Sequence, residues 1–565
     1  MKVANGLKIP YGIGNFEKLR SGGYLYVDKT KFLEQMEMSN MLLHLRPRRF
    51  GKSLFLSMMD SYYDVASADK FERLFKGLYI GDFPTPNRNN YYMLRFNFSG
   101  IETVNPEVVF AGFKRSVKEG LKHFIGRYEL GIRFNEEESA ASMLHSVLTQ
   151  FKQLGKKHQI YILIDEYDHF TNAVLTNGLE GFATLVKRGG TVRSFYEIIK
   201  SQSELGIIDR FFATGVMSVS LDSMTSGFNI STNITNRKGY ATMMGFTSEE
   251  VKNLLASCPL SIQEQSEIYG IFKENYNGYR FSETSDEKVF NSTLIMYYLE
   301  NYLANKEHPK SLVDPNLNQS GTTLATLVNL KNQQEHLQLV EELVQYKTVS
   351  AELSDFVDLD KKFDRNDFMT LMFNLGLVTI VKTGMRTQFG IPNKVIESLY
   401  LQYLKDLLQR TIDYKLDLSR QESAIEELGE QGRIQLLTQL VEEFLIQSAN
   451  RNLVQFDEKY IKLLYMMLLS ATPQYVVYDE FPARNGFVDL FIQKAPASNA
   501  TYEALIELKY IKKSDATIAQ INKEWAQGLR QMDSYLQDKR LAARSNLKKF
   551  VVVFAGSEVV KQGEI

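Results

Sequence analysis

The chain has 565 residues, with 66 Lys and Arg against 67 Asp and Glu, and a length that calls for about three or four separate cores. Its net charge of -1 excludes a protein that is basic overall, so any surface for nucleic acid has to be local. The single cysteine, Cys258, excludes an internal disulfide framework and a four-cysteine zinc site, and fits a reducing compartment.

The opening stretch MKVANGLKIPYGIGNF lacks an apolar run of signal-peptide length, and no later run approaches the ~18 apolar residues that span a bilayer. The expectation is a cytoplasmic protein with no membrane segment. YLYVD (24–28) and MLLHL (41–45) predict short strands, and SLFLSMMDSYYD (53–64) predicts a helix that opens directly after Gly51 and Lys52. YYMLRFNF (91–98) predicts a strand, followed by two helical stretches, PEVVFAGFKRSVKEGLKHFIG and ESAASMLHSVLTQFKQLG. The apolar run IYILI (160–164) ends in DEYD, FYEIIKSQ reads as a helix, and RFFATGV (210–216) as a buried strand. Strand and helix alternate to about residue 216, the pattern of a mainly parallel sheet covered on both faces.

From about 247 the chain turns helical, with Thr247 and Glu250 forming a capping box. HPKSLVDPNLNQSGTT (308–323) is the best candidate linker. Residues 324–470 predict amphipathic helices interrupted by one hairpin, GLVTIVKTGMRTQFGIP. The end returns to strands in YVVYDEF, GFVDLFIQ and YEALIELKYI, then a helix around 516–537, then FVVVFAG (550–556). The expected division is 1–305, 306–435 and 436–565.

RPRRFGKS (46–53) ends like a phosphate-binding loop, with Arg46 where the usual pattern has glycine. Such a loop needs inward-facing backbone N–H groups, a helix N-terminus behind them, a lysine and a hydroxyl for Mg²⁺. Gly51 lets the backbone approach phosphate, Lys52 would reach the β- and γ-phosphates of ATP, and Ser53 would ligate the metal. The strand before and the helix after supply the required context. Asp165 emerges at the carboxyl end of its strand, where ligands sit in open α/β sheets. It would hold Mg²⁺ through water while Glu166 orients the attacking water. Thr214 is a candidate polar sensor of the γ-phosphate, or simply a β-forming residue. Arg46, Pro47, Arg48, Arg49 and Phe50 complete the loop; its arginines would contact phosphate, a neighbouring subunit or solvent. Asp168 reads as a cap or structural acid.

LRPRRFGKSL, YVDKT (26–30), IDEYD, ATGV (213–216), GFTSEEV (245–251) and NYNGYRF (275–281) together resemble the bacterial AAA-ATPase-like proteins that carry a C-terminal PD-(D/E)XK nuclease domain. The similarity extends through GLVTI and IPNKV (391–395). Arginine at 46 is the usual form of the loop in that family. The resemblance implies an α/β multidomain protein: a P-loop ATPase parallel sheet with a helical lid, a helical or winged-helix middle region, and a C-terminal restriction-endonuclease-like α/β domain.

It also implies a second site. A PD-(D/E)XK centre holds Mg²⁺, or Mn²⁺, between an Asp on one strand and a Glu on the next, with a Lys two positions beyond the Glu. Asp489, Glu507 and Lys509 match that triad, and residues i and i+2 of a strand share a face. Glu458 is the candidate accessory acid, and Gln531 with Tyr535 the candidate contacts to nucleic-acid phosphate. Phe487 stands where many relatives have arginine, with Arg484 nearby. Residues 505–550 hold ten Lys or Arg against five acids, a local patch for phosphates or an ordinary solvated face. The expected function is ATP binding and hydrolysis coupled to metal-dependent cleavage of nucleic acid, DNA in the first instance, with a homo-oligomer open. The rival is an ATP-dependent switch whose end domain binds nucleic acid or protein without cutting it.

Overall fold

The computed structural model describes residues 6–565 apart from 103, 170–189, 218–230, 316–318, 331, 356, 358–362, 413–415, 450–456 and 471. Contacts divide the chain into two compact units: residues 1–306 with 322–393, and residues 307–321 with 394–565. Among the described residues no helix is long and apolar enough to cross a membrane.

The first unit is built on a parallel sheet of strands β1 (Met41–Leu45), β2 (Tyr91–Asn97), β3 (Gln159–Asp165), β4 (Ile208–Gly215) and β5 (Thr232–Asn233), in the order β2-β3-β4-β1-β5. Ile160, Tyr161, Ile162, Leu163 and Ile164 are all buried, each burial contributing about 2 kcal/mol. This run can only be a central strand, and it carries Asp165 out at its carboxyl end, level with Asn97 of β2. β4 lies between β1 and β3, so the turn after β1 and the acids after β3 flank one strand end. The helix Lys52–Tyr63 opens at that turn.

YLYVD does not form a strand. Only Tyr24 makes an isolated bridge, to Lys8, and the segment is instead tied by side chains. Lys29 is buried and pairs with Glu250 at 2.6 Å, and its ammonium also meets the Thr242 carbonyl at 2.9 Å. Glu250 is at the same time the acid of the Thr247 capping box. An ion pair thus links the YVDKT and GFTSEEV segments.

The hairpin in the middle region is present as β7 (Thr379–Lys382) and β8 (Thr387–Gly390), joined by β6 (Val349–Ala351) in the order β6-β8-β7. It groups with the first unit. The Thr379 hydroxyl donates to the Gly278 carbonyl at 2.9 Å and accepts from the Arg280 amide at 2.8 Å, while Phe281 packs edge-on to Phe373. The helix Lys394–Ile412 instead packs on Glu458–Leu469 within the second unit. The middle region is therefore shared between two cores.

The second unit is built on a mixed sheet of β9 (Tyr475–Ala483), β10 (Gly486–Lys494), β11 (Glu503–Ile511), β12 (Leu547–Ala555) and β13 (Glu558–Glu564). Only β11 and β12 run parallel; the other neighbours are antiparallel. The helix Ile518–Tyr535 packs on β10, β11 and β12. Gly528 permits this closeness: a Cβ there would lie 2.7 Å from Val551 Cγ1. β13 was not read from the sequence because EVVKQGE mixes polar residues into a half-exposed edge.

Candidate phosphate and metal sites

The loop 46–53 is shaped by two left-handed residues, Arg49 (φ 72°) and Gly51 (φ 90°). Phe50 anchors it, with its ring edge-on to Tyr279 and Phe281 at 4.9 and 5.4 Å. The Phe50 carbonyl accepts the Gly245 amide, and the Arg49 carbonyl accepts the amide and hydroxyl of Thr293 at 3.3 and 2.8 Å. The backbone is thus fixed from outside, leaving the helix N-terminus Lys52–Tyr63 behind it. Lys52 is buried and its ammonium donates to the Arg46 and Pro47 carbonyls, both at 3.0 Å. Burial pushes this lysine down to about 8, against the opposing pull of Asp168, Asp165 and Glu166.

Asp165 is buried close to Ser53 and Lys52, and its Oδ1 has no hydrogen-bond partner. Burial raises its pKa, so a cation at that oxygen would relieve a standing penalty. Glu166 follows in the left-handed region (φ 51°), a strain of about 1 kcal/mol that turns it off the strand path. His169 Nδ1 lies 3.0 Å from its Oε2, and the other ring nitrogen lies 3.0 Å from the Ile101 carbonyl. That histidine contact holds the Glu166 carboxyl below the usual range, over an opposing effect of burial.

Two sequence-based assignments are corrected by this geometry. The Arg46 side chain does not face the loop interior: it is 1% exposed, stacked 4.2 Å over Phe281, and donates to the Leu45, Thr235 and Tyr240 carbonyls. It is a structural pin. Thr214 is fully buried and donates its hydroxyl to the His44 carbonyl at 2.7 Å, across the β1–β4 pair. A hydroxyl used between two strands is not presented to a γ-phosphate. Asp168 is structural, accepting the Val216 and Met217 amides at 3.0 and 2.6 Å. Arg48 is exposed at the loop and Arg49 partly so.

In the second unit, β10 and β11 pair antiparallel with Leu490 opposite Ile506, a register that sets Asp489 opposite Glu507. Asp489, Glu507 and Lys509 are all buried, at 7, 1 and 7% exposure. Lys509 Nζ lies 2.7 Å from Glu507 Oε1 and 3.0 Å from the Leu508 carbonyl. Asp489 Oδ2 accepts the Leu508 amide at 2.8 Å. Glu507 Oε2 is buried with no partner. Burial first, and the Asp489 charge second, push Glu507 up to about 8, and the same two causes raise Glu458. Two acids that resist ionising, the buried Glu507 with its orphaned oxygen and the partly exposed Glu458, are oxygen donors of the kind that fits a divalent cation.

A family model of the predicted AAA-ATPases matches residues 10–225, and the PD-(D/E)XK nuclease superfamily model matches residues 456–564. The chain carries both domains. A curated relative, the "Uncharacterized protein in vnfD 5'region" of Azotobacter chroococcum mcd 1, is 30% identical over 291 residues, 50% of this chain and 50% of that protein. The chain thus spans about half the length of the curated relative it matches. Among solved structures, the Walker-type ATPase PABY2304 of Pyrococcus abyssi aligns over 66% of this chain and 94% of that one, at 12% identity and a TM-score of 0.36.

In the PD-(D/E)XK domain, Tyr535 is buried at 2% exposure on the helix Ile518–Tyr535, so its hydroxyl is not laid open to a nucleic-acid phosphate as the sequence suggested. Gln531, one helical turn before it, is half-buried. Phe487 is 59% exposed on the same strand as Asp489, and Arg484 is exposed as well. Of the ten basic residues in 505–550, five (Lys509, Lys513, Arg540, Arg544, Lys548) pair with acids, which halves the patch available to phosphates.

Sequence reasoning missed two side chains. In the AAA-ATPase-like domain, His169 clamps Glu166. The spacing of three was visible, but residues in the DEYDH turn have no fixed period to read. In the PD-(D/E)XK domain, Lys462 reaches the acids from the helix Glu458–Leu469: its Nζ lies 2.7 Å from Asp489 Oδ1, 3.7 Å from Glu458 Oε1, and against Glu480. A lysine four residues after Glu458, the one charge in the run from Tyr460 to Leu469, was the available signal.

Proposed function

We propose that this protein hydrolyses ATP in its N-terminal domain and cleaves phosphodiester bonds of nucleic acid, DNA in the first instance, in its C-terminal domain. One observation carries the reading: each domain holds a buried carboxylate oxygen without a partner, Asp165 Oδ1 beside Ser53 and Lys52, and Glu507 Oε2 beside Asp489 and Lys509.

In the first domain, Ser53 and Asp165 would hold Mg²⁺, which supplies charge neutralisation to the phosphates. Lys52 exchanges its two carbonyl partners for phosphate oxygens, and the fixed N–H groups of the loop orient them. Glu166, held by His169, is the acceptor that aligns a water. In the second domain, Asp489 and Glu507 would hold Mg²⁺ or Mn²⁺, which supplies a polarised phosphate and an acidified water. Lys509 presents a proton-bearing ammonium at the same face and holds the Glu507 carboxyl through Oε1. Arg48 and the half of the basic patch not paired with acids are the remaining phosphate contacts.

The test is paired. ATP turnover by wild type and Lys52→Ala, and nicking of supercoiled plasmid by wild type, Asp489→Ala and Lys509→Ala in Mg²⁺ and in Mn²⁺, are measured on the full chain. Lys52→Ala is expected to abolish turnover only, and the other two to abolish nicking only. Equal nicking in all three proteins removes the nuclease site. DNA binding without nicking in either metal favours the non-cleaving switch.

A further inference from the structure

We propose that Lys462 is the resident cation of the PD-(D/E)XK pocket, its ammonium sitting where a divalent ion would sit, so that lysine and metal exclude one another. This rests on the reading that the pocket binds a divalent ion.

Lys462 is 7% exposed, and a charge that deep requires partners. It has three. Asp489 Oδ1 is at 2.7 Å, Glu458 Oε1 at 3.7 Å, and Glu480 is in direct contact. Asp489 spends its other oxygen on the Leu508 amide, so Oδ1 is the oxygen it has left for a cation, and Lys462 holds it. Glu480 is built for this contact. It has φ 51° inside β9, where left-handed backbone is costly for a residue with a Cβ. Its neighbours Asp479 and Phe481 stay in register with Leu490 and Val488, while the Glu480–Asp489 position between them drops out of the ladder. The kink sets Glu480 on the lysine.

The surrounding acids fit a cation that is to be exchanged. Glu458, Glu480, Asp489 and Glu507 are four carboxyls around the two ammonium groups of Lys462 and Lys509. Among the described residues no three His, Cys, Asp or Glu side chains are gathered closely enough to hold a metal. The Lys462 ammonium stands between the acids and takes the oxygen a metal would need. Two like charges a few ångströms apart at an effective dielectric of about 20 repel by several kcal/mol per charge product, so joint occupancy is disfavoured. Glu480 is more than half exposed and provides the place to which a displaced lysine can swing.

The test measures Mn²⁺ binding to the full chain without nucleotide, by the electron paramagnetic resonance signal of free Mn²⁺, for wild type, Lys462→Met and Asp489→Asn. Removing the competing charge is expected to tighten binding at the Asp489-dependent site at least about tenfold. In parallel, wild-type protein is acetylated with and without saturating Mn²⁺, and the modification of Lys462 is read by mass spectrometry. Reactivity is expected to rise severalfold with the metal. That second measurement needs no variant and decides the matter if Lys462→Met does not fold. Unchanged or weaker Mn²⁺ binding in folded Lys462→Met overturns the proposal, as does Lys462 reactivity that Mn²⁺ leaves unchanged. Absence of any Asp489-dependent Mn²⁺ binding defeats the underlying reading of the pocket instead.

Discussion

The two sites are made of different material. The N-terminal one is mostly backbone: eight contiguous residues, pinned by Phe50, Arg46 and Thr293, whose lysine rests on carbonyls of its own loop. The C-terminal one is mostly side chain: acids from β9, β10 and β11 and a helix, brought together by strand register, a kink and helix packing, with its lysines resting on those acids. A backbone site survives an unusual residue such as Arg46, because only the path of the chain matters. A side-chain site depends on each functional atom, and a one-residue slip would move every acid to the other face.

The sharpest contrast is between single lysines. Lys52→Ala is expected to lower ATP turnover about a hundredfold or more while leaving plasmid nicking without nucleotide intact, and Lys509→Ala to do the reverse. Loss of both activities in either variant would break the separation. Next comes support of the reacting acids. His169→Ala frees Glu166 and should lower kcat for ATP about tenfold with KM little changed, with His169→Gln restoring part of the loss. An equal rise in KM would mean the histidine acts on binding.

The sites also differ in their response to pH. Glu507 has its folded pKa raised to about 8, so its neutral form is the one the fold favours. That contribution is fully present below the ordinary carboxylate range and is lost as pH rises through about 8. Glu507→Gln should therefore raise the Tm of the metal-free protein more at pH 8 than at pH 5, and saturating Mn²⁺ should shrink the gain. A gain independent of pH would contradict the assignment. The smallest effect is expected at Thr214. Thr214→Val removes the bond to the His44 carbonyl, about 1 kcal/mol of stability, and should leave ATP turnover within about twofold.

What could be read in advance follows the same division. RPRRFGKS and IYILIDE each contain their own structural context, a strand feeding a turn or a turn feeding a helix, so loop, strand and acid were legible together. The roles of Arg46 and Thr214 were not, because they depend on partners far away in sequence: Phe281 and Tyr240 for the arginine, His44 for the threonine. At the other end, the i, i+2 spacing of Glu507 and Lys509 gave their shared face, but Asp489 needed the β10–β11 register, and Lys462 and Glu480 needed a helix and a kinked strand to meet. YLYVD had the composition of a strand but pairs only through the Tyr24 bridge to Lys8, and the residue after it, Lys29, is held by Glu250. The hairpin 379–390 was visible as an element, yet its membership of the first unit rests on Thr379 and Phe373, which no local pattern announces.

The central claim is that the chain has two independent pockets for a divalent cation. Counting Mn²⁺ sites on the full chain, with and without a non-hydrolysable ATP analogue, in wild type, Asp165→Asn and Asp489→Asn tests it most directly. The account predicts one class of site that requires nucleotide and vanishes in Asp165→Asn, and a second that needs no nucleotide and vanishes in Asp489→Asn. Persistence of the nucleotide-independent class in Asp489→Asn would contradict it.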